Sequence, residues 1–397
     1  MRTLENIRVL DLTHVFAGPF CSYQLGVLGA EVIKIEPVGQ PDMTRERGAR
    51  EDLSDQGIGL GFVAQGAGKT SIALDLTAPD GKDVFRKLVE SADVLVQNYA
   101  PSCLEKLGLL PQQLQAVNPK LICCSISGYG RTGPKADHPA YDVVIQAFTG
   151  VMASNGEADS PPVRVGPPII DYGTGAQAAF AICAALFARE RTGKAEVIDI
   201  AMSDCALMLM AANVVTANAT GQAPTPFGNR DPGLATYSAY PTADGTLMLG
   251  AYTVTQAANL MNALGNHEAA DEIRRLKAKD MPARRDQDEA FLTKILATRS
   301  AEHWEDHLNA AHVPAARIRT LDEALAHPQF ASRNVIQEVE VAGAPLGLPV
   351  AGFDMASNSP TPSGPPRGYG ADTDTVLGSL GYTNEEIARM QRDKCVA

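Results

Sequence analysis

The sequence predicts an α/β fold in which a large domain with a parallel sheet is accompanied by a smaller α+β domain. Strand-like and helix-like segments alternate through the first half of the chain, which is typical of parallel α/β sheets. The composition changes near Gly221, where a stretch rich in Pro, Gly and Thr begins. The length of 397 residues is sufficient for two domains, each with its own core.

The alternation is clear from the N-terminal end. Ile7 to Leu12 is a short β-type run, Phe20 to Leu28 predicts a helix, and Glu31 to Glu36 predicts a second strand. The pattern then repeats, with strands expected at 71–76, 93–97, 121–127 and 196–201, and helices at 81–91, after Asp171 and from Ser203. Ligand sites in such sheets lie beyond the carboxyl ends of the strands. His14, Asn98 and Ser127–Tyr129 are therefore expected to line one crevice.

Residues 221–330 are predicted to form the smaller domain. They include a hairpin-like segment with a turn at Asp244–Gly245, followed by helical, charged sequence to about Ala326. The large domain is predicted at 1–220, completed by 331–397 at the C-terminal end. A Pro-, Gly- and Ser-rich stretch precedes one or two short helices there, and such a long irregular stretch is expected to wrap over another surface.

The bulk composition excludes several classes of function. The hydrophobic share is 45%, the charged share is 20% and the net charge is −12, without a dense cluster of Lys and Arg, which argues against a nucleic-acid partner. No basic leader and no apolar run long enough to span a bilayer are seen, so no membrane association is expected. The seven cysteines lack disulfide or metal-ligand spacing. We therefore expect a reduced, cytoplasmic protein without a metal site.

Asp171 stands at the centre of the most informative stretch, residues 164–191. It lies alone in apolar surroundings at the start of a predicted buried helix, where helix dipoles favour a negative charge and free N–H groups can receive an anion. Gly173 and Gly175 would allow a ligand to approach the backbone. An ionised carboxylate in such a place suits covalent nucleophilic catalysis. The alternative is that Asp171 is only the N-cap of the helix.

The segment Val63–Thr70, VAQGAGKT, comes close to a P-loop but lacks its first glycine. A predicted strand follows it where a P-loop requires a helix, which argues against a nucleoside triphosphatase. Lys69 is nevertheless a candidate contact for an anionic ligand, the alternative being a solvated loop lysine. No GxGxxG follows the first strand, which weakens a nicotinamide-dependent interpretation.

A collinear set of motifs resembles the class III CoA-transferase family. The resemblance covers most of residues 5–210 and continues more weakly in 370–387. The motifs that carry it are RVLDLTHVFAGPFCSYQLGVLGAEVIKIEP (8–37), KTSIALDL (69–76), ADVLVQNYAPSCLEKLGL (92–109), SISGYGRTGP (125–134), PAYDVVIQAFTG (139–150) and VGPPIIDYGTG with the following RERTGK and IDIAMSD (165–204).

The resemblance implies an interlocked homodimer of ring-like chains, each with a Rossmann-like large domain and a small domain. It places the family's catalytic aspartate at Asp171, which would attack an acyl-CoA thioester to form a mixed anhydride and then an enzyme–CoA thioester. Coenzyme A is thus implied as a substrate, with no permanently bound cofactor.

Further site residues are carried over from the same resemblance. His14 and Val15 would bracket the CoA, Asn98 and Tyr99 would contact its nucleotide part, Lys106 its phosphate, and Met202 would lie near the thiol, with Tyr141 in the active site. A core histidine at position 14 and an ordinary half-buried tyrosine at position 141 are the alternatives.

Two residues bear on the substrate. Arg45 is our candidate for binding a substrate carboxylate, because arginine forks suit such groups, and a surface arginine is the alternative. Phe16 stands where formyl-CoA:oxalate transferases have glutamine, and their glycine-rich loop is missing near 228–233. These departures argue against oxalate as the acceptor, and Phe16 predicts a larger, more apolar acyl group beside the thioester. We expect a carboxylic acid acceptor, such as a small dicarboxylate, and a donor such as succinyl-CoA.

The main alternative is an α-methylacyl-CoA racemase, which has a related fold. Racemases need a His/Asp pair to move an α-proton, and the matching position here is Ala140–Tyr141–Asp142, without histidine. His138 lies nearby but is not expected to substitute. A CoA-binding protein without catalysis is a third possibility, against which Asp171 argues.

Overall fold

The computed structural model of this chain describes residues 2–397. By their contacts, these residues divide into two compact units, which are described separately below. The larger contains residues 2–151, Val165–Gly221 and Pro328–Ala397, and the smaller contains Met152–Arg164 and Gln222–His327. From sequence, residues 152–164 are expected in the large domain, whereas in the structure they belong with the smaller unit.

A parallel sheet forms the centre of the larger unit, which confirms the predicted α/β class. Its strands, in the described part of the chain, are β1 Arg8–Leu12, β2 Glu31–Glu36, β3 Thr70–Ala73, β4 Val94–Gln97, β5 Ile122–Ser127 and β6 Val197–Ala201. Their spatial order is β3-β2-β1-β4-β5-β6, and all the pairings are parallel. This is the strand order of a Rossmann-like sheet, in which the direction of winding reverses between β1 and β4.

The helices of this part connect the strands and cover both faces of the sheet. They are α1 Ala17–Val27, α2 Glu51–Ser54, α3 Leu60–Gly66, α4 Pro79–Glu90, α5 Pro101–Leu107, α6 Pro111–Val117, α7 Asp142–Thr149, α8 Ile169–Thr192, α9 Met202–Leu209 and α10 Ala211–Thr220, with a 3-10 turn at Met43–Glu46. Pro79 begins α4, where proline's fixed φ suits the first turn of a helix.

Alternate residues of the strands supply two separate cores. Val9 and Val94 face the core that α1 and α8 cover, whereas their neighbours Leu10 and Leu95 face the core that α4 covers. Because side chains alternate along a strand, continuous apolar runs such as β4 are what a sheet buried on both faces requires.

Helix α8 is long and apolar enough to cross a membrane by length and composition, contrary to the expectation that no such run exists. In this structure Ala178, Ile182 and Leu186 on one face of α8 are buried in the core shared with α1 and the sheet. The opposite face carries the exposed side chains of Phe180 and Phe187.

The smaller unit has its own core around Trp304. It consists of a small antiparallel sheet, in the order β7-β8-β9, with helices packed on it. The elements are β7 Ala239–Pro241, β8 Thr246–Leu249, α11 Val254–Ala263, α12 His267–Arg274, α13 Arg285–Leu296, α14 Ala301–Ala310, β9 Ala315–Arg317 and α15 Leu321–Leu325, with 3-10 turns at Met152–Ser154 and Ala278–Arg284. The predicted hairpin is present as β7 and β8.

The C-terminal segment returns to the larger unit and covers the outer edge of β3. Its elements are α16 Pro328–Ser332, β10 Ile336–Val341, β11 Ala344–Pro349, α17 Thr373–Ser379 and α18 Asn384–Arg392. The Ser71 and Ala73 N–H groups of β3 donate to the side chains of Asp372 and Thr373, at 2.9 and 3.1 Å. Val396 pairs with Leu74 just beyond the strand. The last strand edge on this side is therefore closed by residues about 300 positions later in the chain.

Candidate active site

A cavity of about 330 Å³ opens in the larger unit where the winding of the sheet reverses. The loops that follow β1 and β4 diverge at this point, which is where ligands bind in open α/β sheets. Predicted site residues on its lining are His14, Val15, Phe16, Asn98, Tyr99, Tyr141, Asp171 and Met202, and Ser127 and Gly128 join them from the end of β5. The structure thus gathers, into one cavity, residues that are up to 188 positions apart.

The loop after β1 adopts an unusual backbone at Val15, whose φ is +69°. A β-branched residue in the left-handed region is sterically strained, at a cost of order 1–3 kcal/mol. Such a conformation persists only where the surroundings hold it. Here it turns the chain between His14 and Phe16, both of which line the cavity.

Side chains from other elements hold this loop by its backbone groups. The Asn98 amide accepts from the His14 N–H at 3.1 Å and donates to the His14 carbonyl at 2.9 Å. The Val15 N–H donates to the Asp42 carboxylate at 3.2 Å, and the Gln65 amide donates to the Val15 carbonyl at 2.7 Å. The strained loop is therefore fixed from three sides. Loss of surrounding water lowers the pKa of the His14 imidazole.

A network of buried ion pairs lies beneath the loop. Lys34 pairs with Asp42 at 3.3 Å and also donates to the Thr13 carbonyl at 2.8 Å. Burial alone would raise the pKa of Asp11, but the charges of Lys69 and Lys34, with hydroxyl donors, hold it well below its usual range. These pairs attach the loop to strands β1 and β2.

Lys69 is part of this network, so the prediction that it contacts an anionic ligand is wrong for this structure. Its side chain is buried, and its ammonium donates to Asp11 at 2.9 Å, Ser22 at 2.8 Å and the Pro19 carbonyl at 2.8 Å. All three ammonium donors are used within the fold. Lys69 serves here as the partner of the buried Asp11 carboxylate.

Arg45 is likewise unable to bind a substrate carboxylate, contrary to the prediction. Its side chain is 0% exposed and forms a bidentate pair with Glu36, at 2.8 and 2.6 Å. The remaining donors reach the Gly57 and Arg367 carbonyls and the Ser71 hydroxyl. Every donor of the guanidinium has a partner inside the fold, so the residue is structural.

Lys106 lies on α5 with an exposed side chain and does not line the cavity. Asn98 and Tyr99, which precede α5, do line the cavity. The position of Lys106 therefore permits contact with a part of a ligand that extends out of the cavity.

Asp171 occupies the first turn of α8 and is 7% exposed. The Asp142 carboxylate accepts the N–H groups of Ile170 and Asp171, at 2.7 and 3.1 Å, and so caps the helix. Burial, and then the charge of Asp142, raise the pKa of Asp171 to about 7. A carboxyl group thus titrates near neutrality within a cavity, a property that is concentrated at functional sites.

This arrangement corrects three expectations about Asp171. It is not the N-cap, because Asp142 from α7 fills that role. The first N–H groups of α8 are not free to receive an anion, and the helix dipole does not keep Asp171 fully ionised at neutral pH. Gly175 also serves packing, since a Cβ there would lie 2.5 Å from the Ala17 carbonyl oxygen of α1.

Tyr141 and Met202 complete the wall near Asp171. Tyr141 immediately precedes α7, its side chain is 56% exposed, and it lines the cavity. Met202 is the first residue of α9 and is buried. His138 also lines the cavity, and its Nδ1 lies 3.5 Å from the Lys135 ammonium. The structure therefore places His138 at the same cavity as Asp171, which was not expected from the sequence.

Sequence reasoning missed three residues that hold the backbone of the site in place: Asp142, Asp42 and Gln65. One signal for Asp142 was available. The residue before Ile169 is Pro168, whose side chain has no hydrogen-bond acceptor, so the N–H groups of Ile170 and Asp171 needed acceptors from elsewhere. No comparable local signal exists for the contacts that Asp42 and Gln65 make to the Val15 backbone, because that loop is distant from both in sequence.

Among residues 2–397, no group of three or more His, Cys, Asp or Glu side chains is placed to hold a metal ion. The cavity itself is lined by the carboxyl groups of Asp171 and Asp137, two tyrosines and the imidazoles of His14 and His138.

Comparison with known proteins identifies relatives along most of the chain. The family model described as CoA-transferase family III matches residues 4–373. An acetyl-CoA:oxalate CoA-transferase of Acetobacter aceti is 36% identical over 360 residues, covering 90% of this chain and 91% of the relative. A succinate–glutarate CoA-transferase of Agrobacterium fabrum is 36% identical over 345 residues, covering 85% of each chain.

Solved structures agree. The crystal structure of a CaiB/BaiF family protein from Brucella suis is 31% identical to this chain with a TM-score of 0.82. The match covers 96% of this chain and 100% of that one.

Proposed function

This chain belongs to CoA-transferase family III and is a CoA-transferase, and we propose that it transfers CoA through covalent intermediates on Asp171. The observation that supports this most directly is the placement of Asp171. A nearly buried carboxyl group with a raised pKa lies on the wall of the cavity at the reversal point of the sheet.

The proposed reaction conserves the energy of the thioester. An Asp171 carboxylate oxygen attacks the acyl carbonyl carbon, the C–S bond breaks, and CoA thiolate leaves a mixed anhydride. The thiolate then attacks the Asp171 carbonyl carbon and releases the donor acid, leaving an enzyme–CoA thioester. The acceptor carboxylate attacks that thioester and expels CoA thiolate, which gives a second mixed anhydride with Asp171. The thiolate then attacks the acyl carbon of the acceptor and releases it as its CoA ester. Asp171 is regenerated as a carboxylate.

The cavity suits this chemistry because its walls leave Asp171 only 7% exposed. Water would hydrolyse either intermediate, so enclosure is required. The Tyr141 hydroxyl is proposed to donate a hydrogen bond to the oxyanion that forms during each attack. The fixed loop at His14 and Val15, together with Asn98, Tyr99 and Met202, is proposed to bind the CoA. Lys106 is proposed to meet a CoA phosphate outside the cavity.

The names of the relatives guide the choice of substrates. We propose a donor such as succinyl-CoA and a small dicarboxylate as acceptor, which accords with the A. fabrum relative. The A. aceti relative is named for oxalate, so oxalate also belongs among the acceptors to be tested, against the expectation drawn from Phe16.

An interlocked homodimer in the cytoplasm, with no permanently bound cofactor, completes the proposal. Phe180 and Phe187 are 72% and 64% exposed on α8, and no residue of α10 is buried. Exposed apolar surface of this kind marks an interface. All seven cysteines of the described chain are free thiols, as in a reducing compartment.

The racemase remains the second candidate because His138 lines the same cavity as Asp171. Moving an α-proton requires an acid and a base on opposite faces of the carbon. A racemase would exchange the α-hydrogen of an acyl-CoA with solvent deuterium, whereas a transferase has no need to do so.

Mass spectrometry of the peptide containing Asp171 tests the proposal. After brief incubation with succinyl-CoA, we expect a CoA-sized adduct on wild-type Asp171 and none on Asp171→Asn. Asp142→Asn is the matched control, because it alters the neighbouring carboxyl but keeps the nucleophile, and it should still be labelled. Failure of wild-type protein to form an adduct, together with α-deuterium uptake, would establish the racemase instead. If neither an adduct nor deuterium exchange is found, the remaining hypothesis is a protein that binds CoA without catalysis.

A further inference from the structure

A second cavity, of about 640 Å³, adjoins the one that holds Asp171 within the larger unit. Val15, Phe16 and Tyr141 line both cavities. A molecule in the second cavity therefore lies against the same aromatic side chains that face the proposed nucleophile. Nothing in the CoA-binding proposal accounts for this space.

The lining of the second cavity is mostly apolar, with Met43 and Gly61 beside the aromatic residues. Arg47 is the only charged residue among those that line it in the described chain. Its side chain is exposed and makes no ion pair or side-chain hydrogen bond with residues 2–397. It therefore differs from Arg45, whose donors are all used inside the fold.

The backbone that carries Arg47 is fixed. It directly follows the 3-10 turn Met43–Glu46, which the buried Arg45–Glu36 pair anchors. The Gly59 N–H donates to the Arg45 carbonyl at 2.7 Å, and a Cβ on Gly59 would lie 2.4 Å from the Arg47 carbonyl oxygen. Close backbone contact on a rigid support means that the backbone of Arg47 needs no ordering when a ligand binds, and only its side-chain rotamers become fixed.

We propose that the second cavity is the acceptor subsite and that Arg47 binds the distal carboxylate of a dicarboxylic acid. The inference rests on the proposed CoA-transferase function. A guanidinium fork matches a carboxylate in two parallel hydrogen bonds. The apolar walls suit the methylene chain, and the reacting carboxylate passes Phe16 and Tyr141 towards Asp171. Arg47 thus takes the role that the sequence suggested for Arg45.

The test isolates the acceptor step. Saturating succinyl-CoA first loads the enzyme with CoA on Asp171, and the excess donor is then removed. The loaded enzyme is discharged with a dicarboxylate (succinate or glutarate) or with the monocarboxylate of equal length (butyrate or valerate). For wild-type enzyme, discharge per unit concentration should favour the dicarboxylates. In Arg47→Gln this preference should fall by about tenfold or more, since a charge-assisted pair is lost. Arg47→Lys should retain part of it.

Arg50→Gln is the matched control, because Arg50 is an exposed arginine of the same segment that pairs with Asp52 and lines neither cavity. It should keep the wild-type preference. An unchanged preference in Arg47→Gln, with normal loading, would overturn the subsite but not the transferase. Weaker CoA binding with an unchanged preference would assign Arg47 to CoA instead. Failure of wild-type enzyme to load would overturn the proposed function and the subsite with it.

Discussion

Two carboxyl groups with different roles lie at the start of α8. Asp142 accepts two backbone N–H groups and fixes the first turn, while Asp171 is left with one face on the cavity. The negative charge of the first makes ionisation of the second less favourable. In this arrangement Asp142 is a positioning residue whose charge adds to the effect of burial in raising the pKa of the proposed nucleophile.

The rate of adduct formation should depend on pH through Asp171. Only the carboxylate can attack, and an acid with a pKa of about 7 is largely protonated below that value. The rate constant at low succinyl-CoA should therefore rise about tenfold per pH unit below 6 and level off above 8. Rapid quenching of the adduct across pH 5–9 is the measurement (in a range where the fold is intact by circular dichroism).

Asp142→Asn provides the control for this profile. The asparagine oxygen can still accept the N–H groups, but the charge is gone, so the midpoint should move to lower pH. Burial is the larger cause of the raised pKa, so the midpoint should remain above the ordinary aspartate value of 3.8. An unchanged midpoint pH in Asp142→Asn would show that the charge of Asp142 does not affect the ionisation of Asp171.

At the scale of single residues, the sequence placed several side chains at the cavity correctly, but it did not predict which charged side chains are buried and paired inside the fold. Asp171, His14 and Asn98 follow strands or begin a helix, so their placement follows from the sheet. Burial and pairing depend on contacts between distant segments, which is why Arg45 and Lys69 were assigned to ligands and not to Glu36 and Asp11. Local sequence does not distinguish a buried cation from an exposed one.

Among the elements, the 3-10 turn Met43–Glu46 shows how a short segment can be fixed by one side chain. The Arg45 guanidinium lies 3.7 Å above the Phe62 ring and forms the pair with Glu36 beneath the turn. A turn of four residues has little stability of its own, so its position depends on this contact.

Replacing Arg45 should therefore affect folding and not acceptor recognition directly. Arg45→Met leaves the buried Glu36 carboxylate without a cation, with only the Asp42 N–H and the Ser71 hydroxyl as donors, and should lower the free energy of unfolding by about 3–5 kcal/mol, as measured by denaturant titration. Arg50→Met is the comparison, because Arg50 and Asp52 are both more than half exposed, and it should change stability very little. A stable Arg45→Met protein with impaired acceptor binding would restore the substrate role.

The strands and helices themselves were largely predictable. Strand β2 coincides with its predicted bounds, and β4, β5 and β6 begin one residue later than expected. Continuous apolar runs between turn residues determine such strands. Helix α1 begins three residues before its predicted start, because the Thr13–Phe16 loop is held by tertiary contacts and not by local sequence.

On the scale of the whole molecule, exposed apolar side chains concentrate on α8, α9 and α10. Phe180 and Phe187 are exposed on α8, Met208 and Leu209 on α9, and Val215 on α10. Helix α8 thus carries Asp171 at one end and apolar surface along its outer face. A second copy that covers this face would also bury the helix that presents the nucleophile.

The protein should accordingly run as a homodimer, at about twice the chain mass of 42.0 kDa, in light scattering at micromolar concentration. Phe180→Glu combined with Phe187→Glu should give a species of one chain mass, because a dimer would have to bury four carboxylates. Gln112→Glu, on the exposed side of α6, should leave the mass unchanged. A wild-type protein of single-chain mass would refute the dimer.

The cover over β3 has a consequence for synthesis. Strand β3 leaves the ribosome early, but the Asp372, Thr373 and Val396 groups that close its edge are made about 300 residues later. Until then the nascent sheet presents an open strand, on which other chains can pair. At the usual speed of translation, roughly 5–20 residues per second, that interval lasts tens of seconds. Chaperone capture of the growing chain should thus persist through emergence of the smaller unit and end only when α17 appears.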